Sequence, residues 1–157
     1  MKKLLLLLTL TFTLSSSAQY AILSAVDVKD GMEEQYIALE AFFGPIHDLA
    51  IKKGMLNSQA VFKVVNTTDE GENVADYFII SGFSSKEQLD AYNGNSADTW
   101  LSIAKEAHKG SISSRRVERI MNSVGGESNQ RRNYHLVGVD ATIWAGGDLK
   151  PGDKMGL

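Results

Sequence analysis

The chain has 157 residues, no cysteine, and 16 basic against 19 acidic side chains, which gives a formal net charge of −3. The missing cysteines exclude disulfides, thiolate catalysis and cysteine-bound zinc, and the acidic balance gives no electrostatic help in binding nucleic acid or anionic lipid. The length suits one domain with a substantial core better than two.

Residues 1–18 have the pattern of a secretory signal peptide. Lys2 and Lys3 form a short basic segment, an apolar run covers residues 4–14, and small residues precede Gln19. The apolar run is shorter than the roughly 18–20 residues that span a bilayer. We therefore expect cleavage before Gln19, export to the periplasm or the extracellular space, and no attachment to the membrane afterwards. Losing both lysines lowers the formal net charge to −5.

The first two predicted elements are a strand over residues 20–28 and a long helix. In the strand, even-numbered residues share one face and odd-numbered residues the other. From Met32 the apolar residues recur at helical spacing: Met32, Tyr36, Leu39, Phe43, Ile46 and Ala50. We expect Asp30 to cap this helix, Pro45 to kink or restart it, and Gly54 to end it.

Two strands joined by a polar turn form the centre of the chain. The first is predicted over residues 58–66, the turn over 67–73, and the second over 74–83, where the apolar residues run together. Such a continuous apolar run is typical of a strand that is buried on both faces. We therefore expect helices against one face of this hairpin and another apolar surface against the other.

The next stretch is predicted to be helical in several parts. Ser84, followed by Glu87, has the spacing of a capping box. A break at residues 93–95 precedes a helix that starts at Ser96 or Asp98, and a further helix or a continuation follows Gly110. The predicted inward residues are Leu89, Tyr92, Trp100, Ile103, Ala104, Ala107, Val117, Ile120, Met121 and Val124.

The C-terminal part is predicted as a loop, a strand and a tail. The polar residues 125–132 indicate a loop, residues 134–144 are rich in β-branched and aromatic side chains, and residues 145–157 indicate a loose tail. The domain is therefore expected over residues 19–144. The element order predicts an α+β domain of the ferredoxin-like kind: a four-stranded antiparallel sheet with helices on one face. Because the strands are apolar on both sides, we expect a second copy to cover the other face.

Four segments carry a resemblance to a known family: residues 26–36, 45–47, 53–55 and 77–92. Together they resemble the dimeric α+β barrel superfamily, which includes the antibiotic-biosynthesis monooxygenase domain and related stress-response and haem-handling proteins. The resemblance spans roughly residues 20–143. It implies a homodimer whose sheets pair back to back and enclose a pocket, but no particular activity, since such domains host several unrelated roles.

Five side chains are candidate ligand contacts: Tyr77, Tyr134, Trp100, His108 and His47. Aromatic residues with a polar end suit the boundary between apolar and wet regions, which favours the two tyrosines. By resemblance, haem-degrading members use a helical histidine with a tryptophan and an asparagine, which draws attention to His108 and Trp100. The first strand, however, has no asparagine. The alternative for each candidate is an ordinary core or surface residue.

Other charged residues leave two interpretations open. Asp76 or Asp140 could act as a base if it lay in a cavity, or could face solvent at a strand end. Five arginines could clamp a carboxylate or phosphate, or could form a solvated helix face and a basic loop: Arg115, Arg116, Arg119, Arg131 and Arg132. The three histidines have no metal-ligand spacing, so the sequence predicts neither a metal nor a cofactor.

No motif in the chain defines a reaction. The leading hypothesis is an exported homodimer that binds a small, mostly apolar ligand. The alternative is a cofactor-independent, monooxygenase-like enzyme that acts on a small aromatic molecule, with Tyr77, Tyr134, Trp100 and His108 in its pocket. A third possibility is haem binding through His108 or His47.

Overall fold

The computed structural model describes residues 20–65 and 75–139. Its elements in chain order are β1 (Tyr20–Val28), α1 (Glu33–Lys52), β2 (Ser58–Lys63), β3 (Tyr77–Phe83), α2 (Lys86–Asn93), α3 (Ala97–Ala107), α4 (Ser114–Ser123) and β4 (Ser128–Val137). The predicted signal peptide, the predicted turn at 67–73 and the predicted tail lie outside the described residues. None of the described helices is both long and apolar enough to cross a bilayer.

The four strands form one sheet in the order β2-β3-β1-β4, and every neighbouring pair is antiparallel. Two of these strands lie at the centre, and each is connected through helical segments to a strand at the edge. This is the ferredoxin-like arrangement, so the predicted α+β fold is confirmed. The connection between β3 and β4 contains three helices, which explains the length of the helical stretch in the sequence.

Helices pack on one face of the sheet, which we call the inner face. Two core clusters join α1 and α2 to the strands: Val26, Val28, Tyr36, Tyr77 and Ile79 in one, and Ala50, Leu56, Phe83 and Leu89 in the other. A third cluster lies among the helices, where α3 and α4 pack on α1: Phe42, Ile46, Ile103, Ala104 and Val117. The even-numbered residues of β1 lie on the inner face, as the alternation predicts.

The start of α3 at its N-cap Ser96 is confirmed, whereas the starts of α1 and α2 differ from the prediction by one or two residues. The N-cap of α1 is Met32 and has no side-chain cap, so the prediction that Asp30 caps this helix is wrong; Gly31, with a φ of 76°, turns the chain between them. The N-cap of α2 is Ser85, whose hydroxyl accepts a hydrogen bond from the Gln88 backbone N–H at 3.2 Å. The serine cap is therefore shifted by one residue from the predicted one, and the Gln88 side-chain oxygen accepts a hydrogen bond from the Ser84 N–H at 2.8 Å.

The long helix α1 continues through Pro45 without a restart. Its neighbours Phe42 and Ile46 are both buried in the cluster with α3 and α4. Packing of this kind offsets the loss of one backbone donor, because most helix stability in a protein comes from the buried face.

The last strand begins at Ser128, so the predicted loop over 125–132 is wrong from that residue onward. This half of β4 is polar, yet its backbone pairs with β1, and the side chain of Arg131 lines a cavity rather than a dry core. The register shifts beside Asp27 and Val28, where the strand pair ends in a bulge. Residues 140–144 of the predicted strand lie outside the described residues.

The opposite side of the sheet, which we call the outer face, carries three rows of residues paired across the strands. The middle row contains Ala60, Ile80, Leu23 and Tyr134; the flanking rows contain Phe62, Phe78, Ala25 and Arg132, and Ser58, Gly82, Ala21 and Leu136. Phe62, Ile80, Tyr134 and Leu136 are 38–46% exposed. No described helix packs on this face, which is apolar as predicted.

Candidate ligand-binding site

A cavity of about 330 Å³ lies between the inner face of the sheet and the helices. All four strands and all four of the described helices contribute to its wall. Aromatic side chains from the helices form one part of the lining: Phe43, Tyr92 and Trp100. Polar side chains form another part, and β4 contributes three of them: Arg131, Asn133 and His135.

The polar part of the cavity follows from the alternation of β4. Arg131, Asn133 and His135 lie two residues apart, so all three side chains point to the inner face. Asn133 is directly opposite Ser24 of β1, and the Ser24 hydroxyl donates a hydrogen bond to its side-chain oxygen at 2.7 Å. This bond orients the amide and leaves its N–H groups as donors for another partner.

Among the described residues of the cavity wall, the charged side chains form one pair. Arg131 Nη2 lies 3.9 Å from Glu40 Oε1, at the long end of the range for an ion pair. The Glu40 side chain is only 15% exposed, whereas that of Arg131 is 36% exposed. The guanidinium therefore keeps hydrogen-bond donors that this one contact does not use.

The helix side of the cavity holds a neutral histidine. Phe43 and His47 lie one turn apart on α1 and their rings stack with centroids 5.6 Å apart. Burial lowers the pKa of His47 to about 4, against the opposing effect of the Asp48 carboxylate. At neutral pH this imidazole is therefore uncharged and can both donate and accept hydrogen bonds.

The aromatic part of the cavity is supported from behind. Trp100 and Tyr92 meet edge to face with ring centroids 5.2 Å apart, and Tyr92 meets buried Phe83 in the same way at 5.0 Å. Rings held in this way have few alternative rotamers, because each is in contact with the next. They offer a flat apolar surface to a molecule in the cavity.

Two of the five predicted contacts line this cavity, namely Trp100 and His47. The structure places the other three elsewhere. Tyr134 lies on the outer face. His108 is 5% exposed at the end of α3, where its Nε2 is 3.0 Å from the Phe42 carbonyl oxygen and its ring stacks on Phe42. Such a histidine is buried with its Nε2 engaged and is a packing residue.

The remaining candidate, Tyr77, borders a separate depression of about 260 Å³ near the start of α1. Its hydroxyl donates to Glu33 Oε1 at 2.7 Å, and burial together with this hydrogen bond raises the pKa of Tyr77 to about 12. Asp76 beside it accepts a hydrogen bond from the Val28 N–H at 2.8 Å and is exposed, which matches a strand-end role better than that of a base. Asp140 and Trp144 lie outside the described residues.

Sequence reasoning missed most of the cavity. Arg131 was one of five arginines that could either clamp a carboxylate or phosphate or form a solvated basic surface, and Asn133, His135, Glu40 and Phe43 were not candidates. The available signal was the spacing of Arg131, Asn133 and His135 at every second residue, which is typical of one face of a strand. Within residues 20–65 and 75–139, no group of three or more acidic or histidine side chains is arranged to hold a metal ion.

Comparisons with known proteins leave the function open. No protein-family model matches the chain, and no curated protein matches it. Among solved structures it is similar to a protein of Arabidopsis thaliana, with a TM-score of 0.49, 14% identity, and coverage of 79% of this chain and 99% of the other. It is also similar to a dimeric ferredoxin-like protein of unknown function from Thermobifida fusca, with a TM-score of 0.46, 11% identity, and coverage of 75% and 89%.

A third similar structure is MhuD from Mycobacterium tuberculosis, a heme-degrader with two hemes bound in its active site. The TM-score is 0.46 and the identity 14%, with coverage of 79% of this chain and 99% of MhuD. Identities this low, together with TM-scores below 0.5, leave both family and activity undetermined.

Proposed function

We propose that this protein is an exported homodimer that binds a small, mostly apolar ligand in the cavity between α1 and the sheet. The observation that carries the proposal is the cavity itself, in which Phe43, Tyr92 and Trp100 face a short row of polar side chains. Small-molecule sites commonly combine an apolar wall with a few polar groups that fix orientation. The volume of about 330 Å³ falls at the lower end of the range for such sites.

The binding test uses a variant that fills the cavity. Asn133→Trp places a large ring on the cavity floor, and Asn129→Trp, on the same strand but outside the cavity, is the matched control. Calorimetry with naphthalene as the probe should show binding by the wild type and the control, and at least tenfold weaker binding by Asn133→Trp. Equal binding by both variants, or no binding by the wild type, would end the proposal.

The homodimer is supported by the outer face of the sheet. The largest contiguous apolar patch of a protein surface commonly measures a few hundred Å² and often marks an interaction site. The four large exposed residues of this face, Phe62, Ile80, Tyr134 and Leu136, together leave roughly 300–400 Å² uncovered, as judged from their exposed fractions and typical side-chain areas. A second copy placed back to back would cover this surface.

The monooxygenase-like alternative has lost most of its support at the level of residues. It rested on four side chains converging in one pocket, and of these only Trp100 lines the cavity. Haem binding keeps one candidate, His47, because His108 is buried with its Nε2 engaged by the Phe42 carbonyl oxygen of α1. A titration with haemin tests this directly: a shifted Soret band that is lost in His47→Ala would favour haem, and an unshifted band would remove it.

A further inference from the structure

Among the described residues that line the cavity, the charged side chains are Glu40 and Arg131, and their opposite charges offset one another. Of the histidines in the lining, His47 is neutral at neutral pH because burial lowers its pKa. A ligand in this cavity therefore meets nearly balanced charge and, from Arg131 and Asn133, an excess of hydrogen-bond donors over the partners they have.

Spare donors predict an acceptor on the ligand. The oxygen of the Asn133 side chain is already occupied by the Ser24 hydroxyl, so its N–H groups face an incoming group as donors. Arg131 has five N–H donors and a single long contact to Glu40. A carbonyl or carboxylate oxygen of the ligand would accept hydrogen bonds from both residues. The aromatic ring of the ligand would then lie against Trp100 and Phe43.

The position of Glu40 decides between these two oxygens. A ligand carboxylate at Arg131 would bring a second negative charge close to a carboxylate that is largely shielded from water, and like charges in such a site repel strongly. A neutral carbonyl accepts the same hydrogen bonds without this repulsion. Proteins often exclude a competing ligand by placing a repulsive charge in the site rather than by lacking a favourable contact.

We infer that Glu40 is a specificity-determining residue, which makes the cavity select a neutral aromatic carbonyl compound and reject the corresponding carboxylate. This inference rests on the proposed binding function and adds the class of ligand to it. Arg131 and Asn133 receive the carbonyl oxygen, and the aromatic wall receives the ring.

The test compares three probes that share one ring system: naphthalene, methyl 2-naphthyl ketone and 2-naphthoate. Binding is measured by calorimetry at pH 8, above the usual range of histidine pKa values. We expect the wild type to bind the ketone at least tenfold more tightly than the carboxylate, and more tightly than naphthalene. In Glu40→Gln the carboxylate should gain at least tenfold in affinity, while the affinity for the ketone should change less than threefold.

Two further variants serve as controls. Glu34→Gln makes the same change in charge at an exposed position of α1 and should leave all three affinities unchanged. Arg131→Gln should lower the affinity for the ketone and leave the affinity for the carboxylate low. In the double variant Glu40→Gln/Arg131→Gln, the carboxylate should no longer gain the affinity that Glu40→Gln alone gives it. Thermal unfolding of each variant shows that it remains folded.

Each outcome separates this inference from the function on which it rests. Wild-type protein that binds naphthalene and both derivatives equally would overturn the selectivity while leaving ligand binding intact. A carboxylate that gains nothing in Glu40→Gln would also overturn it. Failure of all three probes to bind would overturn the proposed binding function itself.

Discussion

Replacement of Ile80 by lysine tests whether the outer face of the sheet is the dimer interface. Ile80 lies on the central strand β3, in the middle row between Ala60 and Leu23, and is 38% exposed. Its side chain points away from the helices, so the change leaves the inner core in place. The lysine would, however, stand at the centre of the surface that a second copy would cover.

The expected magnitude follows from the exposed area. An isoleucine that is 38% exposed leaves on the order of 60–70 Å² to be buried in a dimer, about 1.5 kcal/mol at 25 cal/mol per Å². A two-fold interface contains the residue twice, so the two isoleucines together contribute about 3 kcal/mol to the free energy of dimerisation. Two ammonium groups in an apolar interface cost several kcal/mol more. The dimer should therefore weaken by more than about a thousandfold.

The assay is light scattering coupled to gel filtration over a dilution series. Ile37→Lys is the matched control, because Ile37 is an equally large isoleucine, 51% exposed, on α1. We expect the wild type and Ile37→Lys to have twice the mass of one chain, and Ile80→Lys to have the mass of one chain with an unchanged circular dichroism spectrum. A dimeric Ile80→Lys protein would refute this interface, and a monomeric wild type would refute the dimer.

Three other predictions concern His47, His108 and the N-terminus of the exported chain. Burial lowers the pKa of His47 from 6.5 to about 4 in the folded protein. Between these pH values the unfolded chain binds more protons than the folded one, so the free energy of unfolding should fall as the pH drops from about 6.5 to 4. The expected loss, discounted for partial exposure, is about 1–2 kcal/mol. Urea unfolding of His47→Gln should show no such loss over this pH range. Replacing buried His108 by leucine leaves its contact to the Phe42 carbonyl unmade and should cost about 1–2 kcal/mol in urea unfolding, whereas exposed Lys109→Ala should cost almost nothing; equal losses would contradict the packing role. Mass spectrometry of the exported protein should show a chain that begins at Gln19, and an intact N-terminus in the exported fraction would contradict the predicted signal peptide.

Much of the fold could be predicted from the sequence because its patterns are local. The alternation of residues 20–28 indicates a strand with two distinct faces, and the spacing from Met32 to Ala50 indicates one long amphipathic helix. The apolar run from Tyr77 to Phe83 indicates a strand buried on its inner face and apolar on its outer one. Each of these patterns depends only on the face of the helix or strand on which a side chain lies, and that face follows from backbone geometry.

The position of β4 and the identity of the cavity depended on contacts between distant parts of the chain. Residues 128–133 are polar and lack strand propensity, yet they form a strand because β1 offers them backbone partners. Glu40 and Arg131 are 91 positions apart in the sequence, and no local pattern connects them. The sequence by itself determined the order of the elements and their apolar faces. Only the tertiary structure decided which polar side chains meet, because that depends on strand register and on how the helices pack across the sheet.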